Sequence, residues 1–191
     1  MLYADTPLIT KETITHCLDY AMLKELDMCM LPRGFIIKNN LFMYAEFIDH
    51  FINNNYSDLN NLKLNMMQFN YNPEDFTAVH NCFSLNEVVK IMQKRINTNH
   101  LNNGVIIHDV NSTFIDFTVK IGKNVTIMPN VNILGNSKIG DNCTILHNCV
   151  IKNSEVLSDC VLNNCYIENC KIFSGTKIAP YTSLTDNLCP F

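Results

Sequence analysis

The side chains that could do chemistry are few and scattered. Nine cysteines are the most obvious candidates. Cys143, Cys149, Cys160, Cys165 and Cys170 recur at five- to eleven-residue steps. Soft thiolates at regular spacing can hold zinc, but no Cys-x-x-Cys pair occurs anywhere in the chain. Free cysteine also packs as a small buried hydrophobe, and these five stand in slots that valine fills earlier, so they read as core. His147 reads as a surface residue, Asp109 and Asp116 as turn residues, and Asp49-His50 as the outside of a helix. Nothing resembles a nucleophile with a base and an orienting group.

The frame holding these residues is legible over 115–184. Isoleucine recurs every six residues: Ile115, Ile121, Ile127, Ile133, Ile139, Ile145, Ile151. A ladder of smaller residues stands four places after each: Val119, Val125, Val131, Ser137, Cys143, Cys149. A third ladder is asparagine: Asn124, Asn130, Asn136, Asn142, Asn148. Three ladders in phase at period six define a hexapeptide-repeat solenoid. Each unit supplies a short strand and a turn, and three units make one triangular coil. Isoleucine points inward, where β-branched side chains pack well. Asparagine tolerates the left-handed backbone a corner demands, and Gly122, Gly140 and Gly175 relieve further corners. Later units continue inward through Val156, Val161, Ile167, Ile172, Ile178 and Leu184, giving about four coils. Outward positions carry Phe114, Phe117, Leu134, Leu146, Leu157, Leu162, Tyr166 and Phe173, which implies an interface.

Residues 1–83 read differently, as a truncated α/β domain. Leu2-Tyr3-Ala4 is a strand ended by Asp5 and Pro7. Thr10 caps a helix over 11–27, with Ile14, Leu18, Ala21, Met22 and Leu26 on its buried face. Pro32-Arg33-Gly34 is a turn before a strand at 35–37. Asn40 opens a second helix reaching Phe51, 62–69 is a further strand, and Asn72-Pro73-Glu74-Asp75 is a turn. Ser84 and Glu87 form a capping box for a connecting helix over 84–103, with Val88, Val89, Met92 and Ile96 inward and Asn103-Gly104 as its stop. The solenoid then occupies 104–191.

The net charge of −4 and the lack of a basic stripe argue against nucleic acid. No apolar run approaches the ~18 residues needed to span a bilayer. The N-terminus lacks signal-peptide character, and nine unframed cysteines fit a reduced compartment, so a cytoplasmic location is expected.

The segments Lys90 to Asn97, His100 to Val105, and Asp109 with Ser112 to Ile115 resemble the connecting helix and first coil of a known family. It is the bifunctional N-acetylglucosamine-1-phosphate uridylyltransferase and glucosamine-1-phosphate N-acetyltransferase family. Leu2 to Ile9 is similar to its Leu-Tyr-Gly-Asp-x-Pro-Leu strand end, and Asn72 to Asn81 to its Asp-Pro-Glu-Glu…Val-Asn-Asn segment. The resemblance implies a Rossmann-like nucleotidyltransferase domain joined to a left-handed β-helix, a homotrimer, a nucleotide-sugar ligand and magnesium. By family position the magnesium ligands fall on Asp5 and His80. Histidine departs from the family's asparagine, and the Gly-rich phosphate loop and the acetyl-CoA coils have no counterpart here. The expectation is a non-catalytic scaffold or regulator of UDP-N-acetylglucosamine synthesis. The alternative is a sugar-phosphate nucleotidyltransferase or acyltransferase rebuilt around Asp5 and His80.

Overall fold

A computed structural model describes residues 5–32, 34–37, 65–69, 72–186 and 188–189. The expected strand at 2–4 and the helix after Asn40 lie outside the described residues. The chain divides into two compact units, residues 1–88 and 89–191.

The first unit is a small α/β region. Helix α1 (Lys11–Leu23) starts where Thr10 accepts a bond from the Thr13 amide at 3.1 Å. It stops in a left-handed residue, Glu25, whose N–H and that of Leu26 return to the carbonyls of Met22 and Ala21. Three strands follow: β1 (Met28–Leu31), β2 (Gly34–Ile37) and β3 (Met66–Gln68). The sheet order is β2-β1-β3, antiparallel between β1 and β2 and parallel between β1 and β3. Strand β1 has no counterpart in the sequence reading, which ran the helix to residue 27.

The buried face of α1 is also turned from expectation. Thr13 and Cys17 are buried, while Ile14, Leu18 and Met22 are exposed. The hydroxyl of Thr13 donates to the buried carboxylate of Asp75, which anchors that side of the helix. Leu18, Ala21 and Met22 instead line an open groove with Leu26, Ile36 and Ile37. Pro73–Phe76 is a 3-10 turn capped by Asn72.

Helix α2 (Cys82–Asn102) begins two residues before its expected cap, Ser84. Asn81 accepts from the amide of Ser84 at 2.9 Å, and the Ser84 hydroxyl accepts from the amides of His80 and Asn81. The reciprocal box is therefore Asn81 with Ser84, not Ser84 with Glu87. Val88 is buried, but Val89 and Met92 are exposed. The inward row runs instead through Gln93, Ile96 and Asn97, and Ile96 packs against the solenoid core.

The second unit is a left-handed parallel β-helix of five coils, one more than the repeats suggested. Its first face is built from Ile106–Ile107, Thr126–Ile127, Thr144–Ile145, Val161–Leu162 and Lys177–Ile178. The second comprises Phe114–Ile115, Asn132–Leu134, Val150–Lys152, Tyr166–Glu168 and Ser183–Thr185. The third comprises Lys120–Ile121, Lys138–Ile139, Glu155–Val156, Lys171–Ile172 and Leu188–Cys189. Like residues stack in register: Ile115, Ile133, Ile151 and Ile167 form one interior row closed by Leu184. Such rows bury each coil only against its neighbours. Leu162, not Val161, continues the row of Ile107, Ile127 and Ile145 toward Ile178, and it is wholly buried.

Corners carry left-handed residues in three columns. The first is Asn124, Asn142, Asp159 and Gly175; the second is Asn130, Asn148, Asn164 and Tyr181; the third is Gly135, Asn153, Asn169 and Asp186. The expected Asn136 is replaced by Gly135, at φ +66°, because the second-face strand before it is three residues long. Gly140 serves differently from a corner residue. A Cβ there would lie 2.7 Å from the Ser158 nitrogen on the next coil, so it is a spacing residue.

Candidate functional site

The two residues singled out as magnesium ligands are 75 positions apart in sequence and adjacent in the first unit. His80 Nδ1 lies 3.7 Å from Asp5 Oδ2. The backbone brings them together: the Val79 amide donates to the Asp5 carbonyl at 2.8 Å, which lays the 77–81 segment beside residue 5. The Ser84 hydroxyl then fixes the turn by accepting from the His80 amide at 2.9 Å. His80 is exposed and Asp5 is half-buried.

This donor set does not fit magnesium. The ion demands near-octahedral oxygen ligands and is held through carboxylates and water. The pair offers one carboxylate and an imidazole, and no cluster of three or more His, Cys, Asp or Glu side chains that could hold a metal occurs among the described residues. What the geometry can do is simpler. A protonated His80 forms an ion pair with Asp5, and a neutral one offers a nitrogen to a ligand beside a carboxylate.

The cysteines of the solenoid are core, as their spacing implied. Cys143, Cys149, Cys160, Cys165 and Cys170 are all buried. The Cys143 thiol donates to the Leu157 carbonyl and the Cys160 thiol to the Phe173 carbonyl, each at 3.1 Å. Burial pushes Cys143 up to about 11 and raises Cys160. Cys165 donates to Cys149 across 3.8 Å; that bond, followed by burial, holds the Cys165 proton in place, and the same bond lowers Cys149 to about 7 against the opposing effect of burial. Buried in the core, these thiols are not open to a substrate or a metal ion.

The remaining candidates are placed as follows. His147 is exposed on the solenoid. Asp116 is more than a turn residue: its carboxylate accepts from the Gly135 amide on the next coil at 2.7 Å. Asp109 accepts from the Ser112 hydroxyl at 2.6 Å and the Asn111 amide at 3.0 Å, which hold its carboxyl below the usual range. Asp49-His50 lies outside the described residues.

Residues 118–153 match the family model described as bacterial transferase hexapeptide (six repeats). The bifunctional protein GlmU of Thermoanaerobacter pseudethanolicus is 32% identical over 111 residues, 58% of this chain and 24% of that protein. GlmU of Staphylococcus epidermidis is 45% identical over 117 residues, 60% of this chain and 26% of that one. The chain is similar to the bifunctional GlmU proteins. It spans about a quarter of the length of these GlmU relatives. Among solved structures, a mutant GDP-perosamine N-acetyl transferase from Caulobacter crescentus is 13% identical, covering 65% of this chain and 80% of its own, at a TM-score of 0.23.

Two groups of residues went unread before the fold was known. Asn97 is fully buried, and its amide donates to the Val110 and Thr113 carbonyls at 2.9 Å each. Lys152, Tyr166 and Glu168 form a cluster on the second face: Lys152 Nζ lies 2.7 Å from one Glu168 oxygen, and the Tyr166 hydroxyl donates to the other at 2.5 Å. Lys152 and Glu168 are 16 residues apart, one coil of chain, and Tyr166 stands two places before Glu168 on the same strand, a signal visible once the coil length is fixed.

Proposed function

We propose that this chain is a GlmU-related hexapeptide protein acting as a non-catalytic, cytoplasmic scaffold or regulator of UDP-N-acetylglucosamine synthesis, assembled as a homotrimer with parallel solenoid axes. The observation that carries this reading is the makeup of the Asp5–His80 pair. It stands where the resemblance puts a magnesium site, and its imidazole is a poor magnesium donor. The five cysteines of the repeat are consumed by the solenoid core. The resemblance to the uridylyltransferase and acetyltransferase family supplies the link to UDP-N-acetylglucosamine and to trimers, and the similarity to GlmU proteins supports that resemblance.

A second reading has one observation in its favour. Asp5 and His80 converge to 3.7 Å from distant parts of the sequence. That is what an active sugar-phosphate nucleotidyltransferase or acyltransferase with a rebuilt site would require. The discriminating experiment titrates the protein with UDP-N-acetylglucosamine, with and without magnesium, and then with acetyl-CoA. Uridylyl transfer from UTP and acetyl transfer are assayed in parallel. The scaffold reading expects no turnover of either kind. Turnover that disappears in Asp5→Ala overturns it in favour of the rebuilt site.

A further inference from the structure

Two columns of the solenoid interior stack cysteine on cysteine. Cys143 lies beside Cys160, one residue before the paired Thr144 and Val161, and Cys149 beside Cys165, one residue before the paired Val150 and Tyr166. The Thr144 amide donates to the Cys160 carbonyl at 2.8 Å and the Val150 amide to the Cys165 carbonyl at 2.9 Å, so both pairs are in register on adjacent coils. Cys170, in the remaining column, stacks on a serine, Ser154.

The two cysteine pairs use their thiols differently. Those of Cys143 and Cys160 donate to the carbonyls of Leu157 and Phe173, each 3.1 Å away. The Cys149 thiol meets the His147 carbonyl at a longer 3.8 Å, and the sulfur of Cys165 stands equally near, at 3.8 Å. Sulfur faces sulfur there, in a slot that Val131 fills one coil earlier. In-register residues on neighbouring parallel strands have Cα atoms about 4.8 Å apart, within the ~4.4–6.8 Å that a disulfide spans. Side-chain rotation alone can therefore bring these sulfurs to a bonded ~2.05 Å.

We propose that Cys149 and Cys165 are a redox-sensitive pair that a peroxide closes to a disulfide, stapling the third coil of the solenoid (144–156) to the fourth (161–172). This device goes beyond the scaffold reading and does not depend on it. Burial selects the oxidant. Cys149 is wholly covered and Cys165 is 4% exposed, which shuts out a substrate or a hydrated ion. Folded interiors do admit molecules of water's size beside polar groups, and hydrogen peroxide is little larger.

The Cys165 bond that lowers Cys149 makes Cys149 the attacking thiolate. Its sulfur takes one peroxide oxygen as the O–O bond breaks, giving a sulfenic acid and a hydroxide, which the Cys149 proton converts to water. The Cys165 sulfur then attacks the sulfenic sulfur. The S–S bond forms, the S–O bond breaks, and the hydroxyl leaves with the Cys165 proton as a second water. The two thiols lose two electrons and the peroxide gains them. Each coil is held by its neighbours alone, so the fourth and fifth coils stay attached through the boundary that this bond crosses. The bond closes a loop over residues 150–164 and restricts the unfolded chain, so the oxidised protein resists unfolding more than the reduced one.

The test treats the whole chain with hydrogen peroxide, maps linked peptides by mass spectrometry without reduction, and follows urea unfolding before and after dithiothreitol. The expected result is a Cys149–Cys165 linked peptide lighter by two hydrogens than its reduced parts. The urea midpoint should rise, and dithiothreitol should return it. Cys149→Val and Cys165→Val put into the slot the residue that already fills it at Val131, and each should lose both effects; Cys170→Val should keep them. Oxidation confined to the exposed Cys82, with no Cys149–Cys165 peptide, overturns the proposal. So does linkage of Cys143 to Cys160 to the same extent, a linked peptide without a rise in midpoint, or a rise that persists in the Cys149 and Cys165 variants. The linked peptide is read on the unaltered chain, so the outcome is decisive even where a valine variant fails to fold.

Discussion

Replacing Asn97 by leucine tests how the solenoid's open end is closed. The first coil is wider than those after it: Ile107 pairs with Ile127, twenty residues on, whereas Ile127 pairs with Ile145, eighteen on. The extra residues fall between the strands ending at Ile107 and beginning at Phe114, and Asn97 holds that segment through the Val110 and Thr113 carbonyls. Gln93 supports it, donating to the Asn97 side chain at 3.1 Å and to the Ile115 carbonyl at 3.3 Å. Leucine keeps the volume and removes all three of the asparagine's bonds. Each lost bond costs about 1 kcal/mol, and leaving the buried Thr113 carbonyl bare adds roughly 1–3 kcal/mol. Some of this is offset by burying an apolar side chain, so the expected loss is about 3 kcal/mol. Gln93→Met, which loses two longer bonds, should lose about 1 kcal/mol. Urea unfolding of the whole chain, followed by circular dichroism at constant m, reads both. A cost below ~1 kcal/mol for Asn97→Leu, or equal costs for the two, refutes the claim that Asn97 closes the first coil.

Ile133→Asp, which places a charge in the wholly buried row between Ile115 and Ile151, should abolish folding as judged by loss of the far-ultraviolet signal. Lys138→Ala, outward on the next strand, should move stability by less than ~0.5 kcal/mol. Gly140→Ala should cost about 1–3 kcal/mol, because its Cβ meets backbone of the next coil that cannot turn aside. Gly175→Asn, at a corner with open space, should melt close to the unaltered protein. Alkaline pH should destabilise the chain. Cys17 and Cys143 are pushed from 9.0 to about 11 by burial, so the unfolded thiols ionise first and these two groups lose stability as pH rises from 9 toward 11. A flat melting temperature across that window contradicts the buried placement.

The solenoid was readable because its information is periodic: the same interior slot is specified once per side of every coil, so Ile115 to Ile151 fixed the phase together. Reading failed where the period slips. A three-residue strand moved one corner from Asn136 to Gly135, and a shortened unit after Leu162 rather than before it put that leucine inside. Helix α1 was located but turned, because its orientation is set by a hydroxyl reaching Asp75, a contact of 62 residues' separation that no local pattern encodes. Strand β1 went unread because only four residues, Met28–Leu31, separate the expected end of that helix from the turn at Pro32, too few to show an alternation. Asp5 and His80 were named through a family likeness; their adjacency is legible only in space, and so is the mismatch between an imidazole and the ion expected there.

The uneven coil length has a consequence for how such a chain can change. In the third face successive partners are 18, 17, 16 and 17 residues apart, yet the interior side chains still stack in register. The corners absorb single-residue differences while the strands tolerate none, since a one-residue slip turns an inward side chain outward. Small insertions and deletions are therefore harmless or ruinous depending on a distance of two or three residues. Removal of a whole coil, by contrast, brings together two strands whose inner rows already match. Growth and shrinkage of this protein are thereby quantised in steps of about 17 residues, each adding or subtracting ~4.8 Å of height.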